Sequence, residues 1–253
     1  MIFTGSRADY GLLKNLIKKI KDDGKYKLYI VASSIHYMKD FGRTSQEINK
    51  DHFKINYKGR TKLNKNDNNS VITYCGKSMI EFSKFLKEAK PNLVVLLGDR
   101  FEVFSFCISS FFLRIPILHI HGGEITEGAF DDTLRHCITK MSDFHFVCHN
   151  KYFKRVKQLG ETNKNIFNFG APGIENIINR NFLSKRQILR NLNIPFKEKI
   201  AVVTFHPETR SNTSPHSQIN TLLKGLFSIK DLFYIFTYSN TDPFGMDFIK
   251  KIN

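Results

Sequence analysis

No stretch of this 253-residue chain approaches the ~20 consecutive apolar residues that a membrane-spanning helix requires, so no such helix is expected. The opening residues, Met1-Ile2-Phe3-Thr4-Gly5-Ser6-Arg7, lack a basic segment followed by a long apolar one, which argues against a secretory signal peptide. No CxxC pairs the four cysteines, so neither a disulfide frame nor a cysteine zinc site is expected. Cys75, Cys107, Cys137 and Cys148 read instead as buried thiols of a cytoplasmic protein. Acidic residues are scarce: 23 Asp and Glu stand against 39 Lys and Arg, a net charge of +16. Nucleic acid is the first partner such a balance suggests, yet there is no Arg-rich tract and no aromatic-basic motif. The lysines lie scattered among asparagines and isoleucines. A biased composition, or steering of a phosphate-bearing small substrate, accounts for the charge better than nucleic acid. Neither nucleic acid nor a membrane is an expected partner.

What the chain does contain is alternation of strand and helix patterns. The run Leu93-Val94-Val95-Leu96-Leu97 has the unbroken apolar character of a strand buried on both faces, as in parallel sheets. It ends in Gly98, followed by Asp99, Arg100 and Glu102. Ligands of open α/β sheets bind beyond the carboxyl ends of the strands, so these charges form a candidate site. The competing reading is an Asp that caps the next helix beside a surface Arg. Further strands are expected at Met1–Phe3, Leu28–Ala32, Ile117–Ile120, Phe144–Cys148 and from Ile166. Helices are expected after residue 11, over about 71–89, over about 101–113, and through Met141. The turn Thr4-Gly5-Ser6-Arg7 would aim backbone N–H groups at an anion, with the Arg7 guanidinium suited to phosphate. Asn64–Ser70 is the best candidate for a mobile loop.

The turn His121-Gly122-Gly123-Glu124 again places ionisable groups at a strand end. Beyond it, Asp131 and Arg135 are four apart and share a helix face; the bland alternative has Asp131 capping and Arg135 paired to it. His119 and His121 form an HxH pair, but no HExxH or matching cysteine set supports a structural metal. An acid–base or hydrogen-bonding role suits one of them better. His145 and His149 read as structural. From about Ile177 the pattern restarts, with a helical piece over 183–192, a strand at Ile200–Thr204 and His206 just after it. A helix over about 218–227 and a strand over 233–238 follow, then Ser239–Asp242. The expected architecture is α/β with a doubly wound parallel sheet in a first domain, 1–178, and a short, incomplete second domain at 179–253.

Five linked motifs, Thr4–Gly11, Gly98–Glu102, His119–Glu124, Asp131–Lys140 and Thr204–Thr209, together resemble the UDP-N-acetylglucosamine 2-epimerase family in its hydrolysing branch. The resemblance implies a glycosyltransferase-B type fold of two Rossmann-like halves, the second a nucleotide-binding domain. It also implies conversion of UDP-GlcNAc to ManNAc and UDP through a 2-acetamidoglucal, as in sialic acid biosynthesis. Other members of that branch act on UDP-N,N'-diacetylbacillosamine. It assigns Asp99, Glu124 and Asp131 to proton transfer, and Arg7, Arg135 and His206 to the diphosphate or the departing UDP. His121, beside Glu124, joins the substrate-binding group. A UDP-sugar substrate, no metal, no redox cofactor and, by analogy, a homo-oligomer complete the expectation. A glycosyltransferase on the same fold is disfavoured, because three carboxylates at strand ends suit proton transfer better than donor binding. A Gly-Asn-Ser-Ser-Ser-Gly-like loop of relatives has no counterpart here. Its absence implies that residues 1–253 alone bind UDP-sugar poorly and turn over little, as would an inactive binding remnant.

Overall fold

The computed structural model describes residues 1–64, 67–178, 181–196, 199–206, 213–238 and 245–252. They form two compact units, Met1–Ile177 and Ile178–Asn253. The first begins with β1 (Ile2–Thr4), α1 (Arg7–Asp23) and β2 (Ile30–Ala32). Two 3-10 turns, Ser34–Tyr37 and Lys39–Phe41, lead to α2 (Ser45–Lys50), β3 (Tyr57–Lys58) and α3 (Asn68–Ala89). Then come β4 (Val94–Leu97), α4 (Phe101–Phe112), β5 (Ile117–Ile120) and α5 (Phe130–Lys140). The unit closes with β6 (Phe144–Val147), α6 (Asn150–Gln158), β7 (Ile166–Asn168) and α7 (Pro172–Ile178).

All seven strands pair in parallel, in the order β3-β2-β1-β4-β5-β6-β7. The two faces of β4 explain its unbroken apolar sequence. Val95 and Leu97 enter one core with Leu13 and Ile17 of α1, while Val94 and Leu96 enter another with Phe82 of α3 and Phe106 of α4. Phe3 stacks on Phe106 with centroids 4.5 Å apart, which locks β1 to α4. The chain leaves β1 toward β2 and leaves β4 toward β5, in opposite directions. Their shared carboxyl edge is therefore the topological switch point of the sheet, where open α/β folds bind ligands.

Several expectations shift here. Helix α3 begins at Asn68, because the Asp67 carboxylate accepts from Ser70 N at 2.8 Å and caps it, so the expected loop is shorter. Residues 65 and 66 of that stretch lie outside the described residues. The polar region 36–70 carries α2 and the two-residue edge strand β3, neither of which has a recognisable sequence period. Only Cys107 is a buried thiol; Cys75 and Cys148 are half-buried and Cys137 is exposed, since it lies on the outer side of α5.

The second unit contains α8 (Lys185–Asn191), β8 (Ile200–Val203), α9 (Pro215–Phe227), β9 (Phe233–Phe236) and α10 (Gly245–Ile252). Strands β8 and β9 pair in parallel from Ile200↔Phe233 to Val203↔Phe236. Residues 207–209 of the last motif and the segment Ser239–Asp242 lie outside the described residues. Among the described residues no helix is long and apolar enough to cross a membrane.

Candidate active site

The site is built from the turns that follow β1, β4, β5 and β6. After β4, Gly98 adopts φ +80° and Asp99 precedes Arg100, which occupies the N-cap position of α4. The cap reading of Asp99 thus gives way. Its Oδ2 receives Nη2 of Arg135, reaching across from α5. The same Nη2 donates to Thr126 Oγ1 at 3.0 Å. Arg135 is also not the partner of a capping Asp131: the N-cap of α5 is Ala129, and Asp131 sits half-buried in the helix's first turn. The Arg135 side chain is only 9% exposed, and its Nε and Nη1 are buried without a hydrogen-bond partner among the described residues. Two unspent donors on a buried cation form a ready anion contact.

After β5 the chain turns with His121 at φ +68°, a left-handed conformation that costs a non-glycine residue on the order of 1 kcal/mol. This turn brings His121 Nδ1 within 2.6 Å of Glu124 Oε1. Cys148, just past β6, donates its thiol proton to the same oxygen at 2.7 Å and lies 3.1 Å from His121 Nδ1. Burial works to raise the Glu124 carboxyl, but these two hydrogen bonds and the charges of His121 and Arg135 outweigh it. Glu124 is held below the ordinary glutamate value and stays ionised. The thiol of Cys148, by contrast, is pushed up to about 12 by burial and by Glu124. Gly123 lies against α6, where a Cβ would meet Tyr152 O at 2.7 Å.

The turn after β1 departs from expectation. Asp9 Oδ2 accepts from Gly5 N at 3.0 Å and Ser6 N at 2.9 Å, so these N–H groups are occupied by an internal carboxylate rather than turned to an external anion. The cause is a capping box, Ser6-x-x-Asp9, at the start of α1. Burial pushes the Asp9 carboxyl up to about 6, against the pull of Arg100 and the backbone donors. Arg100 in turn pairs with the fully buried Glu102, Nη2 to Oε1 at 3.2 Å. Asp9, Arg100 and Glu102 thus form a buried charged floor beneath the switch point. Asp9 was not a candidate from sequence, although the Ser-x-x-Asp spacing signals it. Arg7 points elsewhere: its side chain is 71% exposed and pairs with Glu47 at 2.9 Å.

The remaining histidines separate cleanly. His119 is fully buried, with Nε2 2.7 Å from Gly98 O and Nδ1 3.1 Å from Thr139 Oγ1, so it braces β5 against β4 and α5. His145 is buried with Nε2 3.3 Å from Glu161, and His149 caps α6 by accepting from Lys151 N. His206, exposed, lies in the second unit just past β8.

A doubly wound parallel sheet with carboxylates and a buried guanidinium beyond its switch point defines an α/β protein with a candidate ligand site at that edge. The chain belongs to the UDP-N-acetylglucosamine 2-epimerase family, whose model matches residues 18–253. It is 38% identical over 245 residues to the GDP/UDP-N,N'-diacetylbacillosamine 2-epimerase (hydrolyzing) of Campylobacter jejuni, covering 97% of this chain and 64% of that protein. It is 34% identical to the polysialic acid biosynthesis protein P7 of Escherichia coli, covering 98% of this chain and 63% of that one. The chain therefore spans somewhat less than two thirds of the length of these relatives. The solved UDP-GlcNAc 2-epimerase of Methanocaldococcus jannaschii, in complex with UDP-GlcNAc and UDP, superposes with a TM-score of 0.78. At 17% identity it covers 100% of this chain and 68% of that structure, and it shares the glycosyltransferase-B type fold.

Proposed function

We propose that this chain carries out hydrolysing 2-epimerisation of a UDP-linked 2-acetamido sugar, with UDP-GlcNAc and water giving ManNAc and UDP. In this reading a base removes the C2 proton and the C1–O bond to UDP breaks, leaving a 2-acetamidoglucal. Water then adds its oxygen at C1, and C2 is reprotonated on the opposite face. The observation that carries the reading is the pairing of two carboxylates with one cation at adjacent strand ends. Arg135 contacts Asp99 directly and acts electrostatically on Glu124. Glu124, held ionised, is the base we favour; Asp99 and Asp131 share the remaining proton transfers. The unspent Nε and Nη1 of Arg135 take the departing diphosphate, as positioned cations do for developing charge. His121 and His206 are assigned to substrate binding, whereas Arg7 is held in its surface pair with Glu47, with 1–178 as the domain of the carboxylates and 179–253 as the nucleotide-binding domain.

A second reading, UDP-N,N'-diacetylbacillosamine as the substrate, is favoured by the 38% identity to the Campylobacter relative named for that sugar. Both are tested by incubating the purified protein with each nucleotide sugar in deuterated water and following products by NMR. Free UDP together with the C2-inverted sugar, deuterated at C2, is the expected result. The identity of the product rather than its rate carries the test. UDP release with C2 unchanged, or transfer of the sugar to an acceptor, refutes the reading; no product from either substrate favours the inactive UDP-sugar-binding remnant over it.

A further inference from the structure

Three side chains from two different turns converge beyond the carboxyl ends of β5 and β6. His121 Nδ1, Glu124 Oε1 and Cys148 Sγ all lie within 4.8 Å of one another, each half-buried. An imidazole, a carboxylate and a thiol form the donor set of zinc-type sites, in which three protein ligands leave the fourth position open. Tetrahedral coordination at about 2.0–2.3 Å sets ligand atoms roughly 3.3–3.7 Å apart. The observed separations of 2.6, 2.7 and 3.1 Å therefore need an outward movement of less than about 1 Å. Rotation of the three side chains supplies movement of that size.

We propose that His121, Glu124 and Cys148 form a binding site for a borderline-soft divalent cation of the zinc class. Binding replaces the thiol proton by the metal, so the cation enters, a proton leaves to solvent, and the Cys148 sulfur keeps its electron pair as a thiolate ligand. The thiolate and the Glu124 carboxylate together balance a dication. The neighbouring guanidinium of Arg135 is already paired with Asp99, so its charge is met before the cation arrives. The HxH pattern of the sequence is not the ligand pair, because both ring nitrogens of His119 are engaged by Gly98 O and Thr139 Oγ1. The partner of His121 is a cysteine 27 positions further along the chain.

The binding itself is independent of the proposed reaction. Its consequence rests on that reading: a bound cation takes the oxygen of Glu124 that proton transfer needs, so metal and turnover exclude each other. The site is tested by titrating the purified chain with Co2+ under reducing conditions and recording the absorption spectrum. Expected are a saturable thiolate-to-cobalt charge-transfer band with tetrahedral d–d bands, both abolished by excess Zn2+. The charge-transfer band is lost in Cys148→Ser and retained in Cys137→Ser, which removes the exposed thiol. No saturable charge-transfer band in the wild-type chain, or one that survives Cys148→Ser, overturns the proposal. Circular dichroism of Cys148→Ser verifies that loss of the band is not loss of the fold, and the wild-type titration stands without any variant. Product formation is measured separately, so failure of the cation site and failure of the epimerase reading are told apart.

Discussion

His36 provides a quantitative test of how this fold handles buried titratable groups. Its ring is fully buried in the turn after β2, with Nε2 3.0 Å from Thr4 Oγ1 and Nδ1 2.9 Å from Thr44 Oγ1. Two hydroxyls satisfy a neutral imidazole, but they do not offset the cost of burying a charged one, and burial pulls its pKa down to about 4. A histidine depressed in the folded state contributes stability that is present above the unfolded value of ~6.5 and is lost as pH falls toward the folded one. Between about pH 7 and about pH 5 that loss is on the order of 2 kcal/mol, reaching about 3 kcal/mol near pH 4. Asp9 works in the opposite sense: its folded carboxyl titrates near 6, above its unfolded value, so its contribution grows as pH falls. Comparing wild type with His36→Gln cancels Asp9 and every other shared group. Urea unfolding followed by circular dichroism at the two pH values should find the acid-induced loss smaller in the variant by about 2 kcal/mol. The NMR resonances of the His36 ring should also stay unprotonated down to about pH 5. Equal losses in the two proteins, or a ring that titrates near 6.5, would refute the argument.

Three substitutions at the site give further outcomes. Gly123→Ala should destabilise by about 2 kcal/mol or more, because the new Cβ meets Tyr152 O at 2.7 Å and Val156 Cγ2 at 2.8 Å at φ +79°. Gly98→Ala has the same backbone sign but open space, so it should cost only about 1 kcal/mol; thermal melts of the pair separate clash from backbone strain. Asp99→Asn keeps an acceptor for Arg135 but removes its counter-charge, so stability should fall by about 1–3 kcal/mol while the fold persists. Turnover in the same variant should drop at least ~100-fold, and full activity would return Asp99 to a purely structural role.

The strands that bury both faces were legible in the sequence, and the reason is physical. In β4 every side chain enters a core, so the apolar run is unbroken; β5 is buried throughout although His119 interrupts its apolar run, and Ile117–Ile120 falls where the pattern put it. Edge elements escaped because they bury little: β3 has two residues, one half-buried and one exposed, and leaves no period to read. The turn chemistry was legible only in part. Ser6-x-x-Asp9 is a capping box in plain sequence, yet its effect, withdrawing the Gly5 and Ser6 N–H groups from any ligand, depends on the carboxylate folding back. The electrostatic pull of Arg100 on Asp9 joins residues from α1 and the head of α4, and no local rule brings them together.

Register explains why the site itself could be named in pieces but not assembled. Residues on neighbouring parallel strands meet at a separation fixed by the length of the crossover, and a slip of one residue would exchange the two faces. Val94 faces Ile117, and Leu118 faces Phe144. The bonds Gly98 N to Ile120 O and His121 N to Phe146 O carry both registers past the strand ends. Asp99, Gly122 and Cys148 are thereby brought to one level along the carboxyl edge. Gly122 and Gly123 keep the middle position low, so His121 and Glu124 fold toward Cys148 on one side, while Arg135 reaches Asp99 on the other. The crossover through α5 therefore has two functions: its length sets Cys148 beside Glu124, and its buried face delivers Arg135 to Asp99.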